Sequence, residues 1–142
     1  RKIEQEEDRT MLSTRMAFTA VALVSVGLSG CEKQVSYSAD IQPILDNYCI
    51  ECHANAGEGE AASGFAVDDY EAVMQGTQLG PVVVAGSSMS SSLYLVVAMK
   101  TDPQIHMPPH HDNSLAEGRG FALSEQNIKL IGDWIDQGAK DN

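Results

Sequence analysis

Two cysteines separated by two residues, with a histidine directly after them, occur once in this sequence, at Cys49-Ile50-Glu51-Cys52-His53. This spacing is the pattern that attaches a c-type haem. On one helical turn the two thiols face nearly the same way, so both can form thioethers with the two vinyl groups of one porphyrin. His53 is then placed under the ring, where its imidazole can coordinate the iron. The motif predicts one covalently bound haem c, held by Cys49, Cys52 and His53.

Two other kinds of site use the same cysteine spacing. A thioredoxin-like disulfide module would need a βαβ context, and no alternation of apolar strands with helices surrounds this motif. Structural zinc would need further ligands, commonly from a second Cys or His pair. The third cysteine is Cys31, and the remaining histidines lie more than fifty residues away. We therefore favour haem over a zinc or disulfide module.

The second axial position of the iron has several candidate ligands. They are the methionines and histidines beyond the motif, namely Met74, Met89, Met99, Met107, His106, His110 and His111. Met107 precedes two prolines, which bar it from a helix interior and hold it in an extended strap. A thioether presented in this way suits low-spin haem iron and raises its reduction potential. We favour Met107, and one of the histidines at 106, 110 and 111 is the alternative.

These two ligand sets predict different functions. A six-coordinate His/Met iron has no open position for a substrate, so it can only exchange electrons. An open or His-ligated distal site would instead be typical of a haem enzyme or ligand sensor, such as a peroxidase. The sequence contains no Ser/His/Asp set and no paired carboxylates beside a histidine. We therefore favour an electron carrier over an enzyme.

The N-terminal segment has the features of an export signal. Arg15 is followed by an apolar run over residues 16–28 and then by Leu28-Ser29-Gly30-Cys31. This order is typical of a secretory signal, and the run is too short to span a bilayer comfortably. The last four residues resemble a bacterial lipobox, which predicts a lipid on Cys31 and a periplasmic, membrane-anchored protein. The alternative is an ordinary signal peptide with Cys31 as a spare thiol.

These features divide the chain into three predicted parts. Residues 1–30 are an upstream extension and signal peptide, residues 31–36 a short linker to the membrane anchor, and residues 37–142 the folded domain. The formal net charge is −11, and residues 1–30 hold four acidic and four basic groups, so all the excess acid lies beyond them. Such acidity argues against nucleic acid as a partner and favours redox partner proteins with basic docking surfaces.

The domain itself predicts an all-α fold. Apolar stripes at helical spacing occur at residues 41–48, 70–74, 93–99 and 128–135. The first stripe runs directly into Cys49. Asp68 or Asp69, one of the serines at 90–92 and Ser124 are placed to cap the three helices that follow. Residues 54–67 are small, polar and rich in glycine, which indicates a loop. The expected domain has about four short helices, with long loops wrapped round one haem.

With these residues in place, the chain resembles a small monohaem cytochrome c, and most closely the planctomycete-type cytochrome c domain. The similar pieces are residues 37, 40–45, 49–53, 83–86, 92–93, 107–109, 123–124 and 134–139. The resemblance implies a class I cytochrome c-like fold, thioethers on Cys49 and Cys52, His53 as proximal ligand and Met107 as distal ligand. It also implies that the first and last helices cross near Trp134. One departure is the stretch of residues 110–122, which is longer and more polar than the resemblance implies.

Overall fold

The computed structural model describes residues 33–109 and 122–142. Within these residues the chain forms six α-helices and no β-strand, apart from one isolated bridge between Thr77 and Gly80. The helices are Gln42–Tyr48 (α1), Ile50–His53 (α2), Glu58–Ser63 (α3), Tyr70–Gln75 (α4), Ser92–Val97 (α5) and Glu125–Asp136 (α6). The all-α fold class that the sequence predicts is confirmed.

Some of the predictions concern residues outside the described ranges. They are the upstream extension and signal peptide at residues 1–30, the lipidated Cys31, and the alternative ligands His110 and His111. Among the residues that are described, no helix combines the length and the apolar character needed to cross a membrane.

The core joins the two ends of the domain. A π-helical turn at Tyr37–Ile41 precedes α1 and packs against α6. The ring of Tyr37 lies 5.2 Å from the ring of Tyr70 and 5.5 Å from that of Trp134. Asn142 also binds this turn, because its side-chain oxygen accepts a hydrogen bond of 3.0 Å from the backbone N–H of Tyr37. The turn before α1 and the C-terminal segment therefore share one core.

The helix ends follow the predicted capping chemistry at two places. The hydroxyl of Ser124 accepts a hydrogen bond of 3.2 Å from the N–H of Asn127 at the start of α6. The carboxylate of Asp69 accepts one of 2.8 Å from the N–H of Ala72 at the start of α4. Both caps satisfy backbone donors that the first helical turn leaves unpaired.

Ser91 directly precedes α5, but its side chain does not form the predicted cap. Ser91 is fully buried, and its hydroxyl donates to the carbonyl of Ser87 at 2.8 Å. The same hydroxyl accepts from the N–H of Val84 at 2.8 Å. The Ser91 hydroxyl therefore links the preceding loop to the start of α5 through hydrogen bonds and does not cap the helix.

The predicted loop at residues 54–67 is wrong over part of its length, because Glu58–Ser63 form α3. Glu58 and Glu60 lie in its first turn, where acidic side chains interact favourably with the helix dipole. Glu60 also accepts a hydrogen bond of 2.8 Å from the N–H of Ala56. Gly64 ends the helix with a left-handed φ of 76°.

The Tyr37 hydroxyl group is a buried polar group without a hydrogen-bond partner. Burial, assisted by the negative charge of Asp69, raises the pKa of this phenol above its usual range. Tyr37→Phe removes a desolvated hydroxyl, so we expect the free energy of unfolding to rise by about 1 kcal/mol. Tyr70→Phe is the matched control, because it removes a hydrogen bond of 2.8 Å to the carbonyl of Ala139. We expect that control to lower stability by about 1 kcal/mol in the same denaturant titration, whereas equal losses would contradict the prediction.

Candidate functional site

The cysteine motif forms a single helical turn at the end of α1. The N–H of Cys49 donates to the carbonyl of Leu45 at 2.8 Å, so the motif continues the helix that precedes it. The N–H of His53 then donates to the carbonyl of Cys49 at 2.9 Å, and this bond closes the turn of α2. This geometry directs the two thiols and the imidazole toward one cavity.

The cavity has a volume of about 380 Å³, which falls in the range of small-molecule sites. Its walls come from the cysteine motif, the start of α3 and the proline strap. The lining residues are Tyr48, Cys49, Glu51, Cys52, His53, Glu58, Gly59, Met107, Pro108 and Pro109. The structure thus brings together Cys49, Cys52, His53 and Met107, although more than fifty residues separate Met107 from the motif.

The imidazole of His53 is fixed from the side opposite to its Nε2 atom. Its Nδ1 lies 3.0 Å from the carbonyl oxygen of Phe65. Because a carbonyl can only accept, Nδ1 carries the proton and the lone pair of Nε2 is available to a metal. The Phe65 ring also packs edge-on to the imidazole, with 5.3 Å between the ring centres. The sequence did not identify Phe65, because a contact through a backbone carbonyl leaves no side-chain signal.

The strap that carries Met107 is attached to the end of α5. The N–H of Met107 donates to the carbonyl of Val96 at 3.2 Å. Pro108 is buried, and both prolines line the cavity beside Met107. The strap therefore contributes Met107, Pro108 and Pro109 to the cavity wall.

The other ligand candidates in the described part of the chain do not line this cavity. The Nε2 atom of His106 lies 3.1 Å from the carbonyl oxygen of Thr101, so it is bound to the backbone. Met89 and Met99 are exposed, and Met74 packs against the hydrophobic core. Only Met107 of these candidates adjoins Cys49, Cys52 and His53.

The environment of Cys49 does not suit a redox-active disulfide. Burial, with a smaller contribution from Cys52, raises the pKa of the Cys49 thiol to about 12. This thiol is therefore protonated at neutral pH, whereas catalytic cysteines need a lowered pKa to supply a thiolate. Cys52 lies 3.7 Å from a carboxylate oxygen of Glu58, to which its thiol donates.

The zinc hypothesis also gains no support from the geometry. Across residues 33–109 and 122–142, no three His, Cys, Asp or Glu side chains are grouped so that they could hold a metal ion. A structural zinc site uses four such ligands. The cavity instead combines two thiols, one imidazole and one thioether with apolar walls, a set that fits a covalently attached haem.

Comparison with known families supports the same interpretation. Residues 49–111 match the family described as Planctomycete cytochrome C. The matched segment begins at Cys49 and includes the strap with Met107. No similar protein was found among the curated proteins or the solved structures. The resemblance to a planctomycete-type cytochrome c domain is therefore confirmed.

Proposed function

We propose that the planctomycete-type cytochrome c domain of this chain carries one covalent haem c and transfers electrons, with His53 and Met107 as the two iron ligands. The observation that carries this proposal is the single cavity lined by Cys49, Cys52, His53 and Met107. Cys49 and Cys52 would hold the porphyrin through thioethers, and the imidazole of His53 and the thioether of Met107 would be the protein ligands of its iron.

Each of these residues has a separate task in the proposed site. A c-type haem, when bound, supplies an iron that gains and loses one electron. His53 would present Nε2 to this iron, because the carbonyl of Phe65 holds the proton on Nδ1. Met107 contributes a neutral, polarisable sulfur, which favours the reduced state. Buried Pro108 helps to exclude water from the site, and a drier surrounding also raises the reduction potential.

The alternative proposal is a haem enzyme or ligand sensor, in which the distal position is open or occupied by a histidine. The position of His106 disfavours it as that ligand, because its Nε2 is bound to the Thr101 carbonyl. His110 and His111 lie outside the described residues, so they remain the histidine candidates for this alternative.

An optical spectrum of the purified oxidised protein tests the two proposals. We expect a low-spin spectrum with a far-red band from the methionine sulfur–iron bond, because the ligands are His53 and Met107. We also expect no spectral change on addition of peroxide, since both axial positions are filled. A high-spin spectrum that responds to peroxide or carbon monoxide would support the enzyme or sensor instead.

The cellular setting of the domain is a further part of the proposal. A lipid on Cys31 would anchor the chain on the periplasmic side of a bacterial membrane, and the excess acid would suit partners with basic docking surfaces. Radiolabelled palmitate should then enter the wild-type protein but not Cys31→Ala, which should be released from the membrane fraction. Labelling that persists in Cys31→Ala would refute the anchor.

A further inference from the structure

The edge of the His53 imidazole that carries Nε2 lies directly against a glycine. A β-carbon placed on Gly59 would stand 2.7 Å from Cε1 and 2.8 Å from Nε2 of that ring. It would also stand 3.1 Å from the carbonyl oxygen of Cys52. Carbon and nitrogen atoms that are not bonded do not approach to such distances, so any side chain at position 59 forces a displacement.

The displacement falls on the imidazole, because α3 is held in place at both ends. A β-carbon at Gly57 would lie only 2.6 Å from the Cys52 carbonyl oxygen, so the start of α3 already packs tightly on the motif backbone. At the other end, the carbonyl of Ser63 accepts a hydrogen bond of 2.9 Å from the N–H of Gln78. The ring of His53 is the more adjustable partner in the contact.

Backbone conformation does not account for a glycine at position 59. Gly59 lies inside α3, and a glycine within a helix is less favourable than an alanine. Its backbone also has no left-handed φ, unlike that of Gly64 at the end of the helix. The close approach to His53 is the feature that requires a residue without a side chain.

We propose that Gly59 is a positioning residue for the iron ligand: its missing side chain lets α3 lie against the Cε1–Nε2 edge, so that the imidazole keeps the orientation set by Phe65. This inference rests on the proposed function, because it assigns Gly59 to the ligation of iron by His53. It predicts opposite effects of Gly59→Ala on the helix and on the iron site. The helix gains propensity, whereas the imidazole loses its position.

The test compares Gly59→Ala and Gly59→Val with wild type and with Ala62→Val, all as the full-length exported protein. Ala62 lies in the same helix but is exposed, so the control adds bulk without touching His53. A pyridine haemochrome assay measures the covalent haem per chain. The oxidised spectrum and the reduction potential then report the state of the iron ligands.

We expect the high-spin fraction to rise and the potential to shift in the order Gly59, Gly59→Ala, Gly59→Val, while Ala62→Val keeps wild-type values. If the variants mature poorly, their covalent haem should fall in the same order, with Ala62→Val unaffected. Wild-type spectra and potentials in both Gly59 variants would overturn the inference, and so would an equal loss of haem in Ala62→Val. A failure of the proposed function is distinct, because wild type itself would then lack covalent haem or the far-red band.

Discussion

On the proposed function, Cys52→Ser is expected to abolish one thioether and to remove most of the covalently bound haem from the purified protein. The two thiols lie on one turn of helix and line the same cavity, so each is placed to bond one side of a single porphyrin. Serine keeps the size of the side chain but cannot form a thioether. Loss of the haem should also lower the stability of the fold. The helices are short, and Cys49 and Met107 pack both against the core and into the cavity that the haem would fill.

Haem staining of a denaturing gel, read beside an immunoblot of the same samples, measures attachment separately from the amount of polypeptide. Glu51→Gln is the matched control, since Glu51 lines the same cavity between the two cysteines but forms no thioether. That control should retain wild-type haem per chain. A Cys52→Ser protein with a wild-type ratio of haem to polypeptide would contradict covalent attachment at this residue.

The parts of the fold that the sequence predicts well are those whose signals are local. The caps of α4 and α6 depend on Asp69 and Ser124, whose side chains bind backbone atoms three residues away. The apolar stripe of α1 has the period of a helix, and its continuation into Cys49 follows from the same period. Nothing distant in the chain has to be known for these predictions.

Helix α3 lacks such a signal, and its omission from the prediction has a physical cause. Glu58–Ser63 contain no large apolar residue, so no hydrophobic period marks them, and the glycine within the segment offsets part of the helix propensity of its Ala and Glu residues. The helix is stabilised by its acidic first turn and by the packing of its start on the cysteine motif. The sequence of the segment alone does not show this tertiary contact.

The candidate site likewise contains residues with a local sequence signal and residues without one. The spacing of Cys49, Cys52 and His53 predicts haem attachment from the sequence alone. The two prolines after Met107 predict an extended strap. The groups that contact the His53 imidazole give no such signal in the sequence. Phe65 contacts it through a backbone carbonyl, which every residue has, and Gly59 lies against it because it has no side chain. The residue types of the proposed site can therefore be read from the sequence, whereas their relative positions require the fold.

Met107 on the strap is the second residue whose replacement should have a large effect, because its thioether would fill the last open position of the proposed iron site. Met107→Ala is expected to lower the reduction potential by about 100 mV or more, a substantial part of the ~0.8 V over which axial ligands tune haem. The reason is the loss of a neutral sulfur that favours the reduced state. The far-red band should vanish, and the reduced protein should now bind carbon monoxide because an axial position is open.

Potentiometric titration measures the change, with Met99→Ala as control. Met99 is exposed, lies before the same strap and does not line the cavity, so its loss should leave both the potential and the spectrum unchanged. Met107→His is a second comparison, because a second imidazole should keep the iron low-spin while lowering its potential. An unchanged potential in Met107→Ala would exclude Met107 as the ligand and make His110 and His111 the residues to replace next. The closed, electron-carrying site that we propose therefore depends on the outcome at this one methionine.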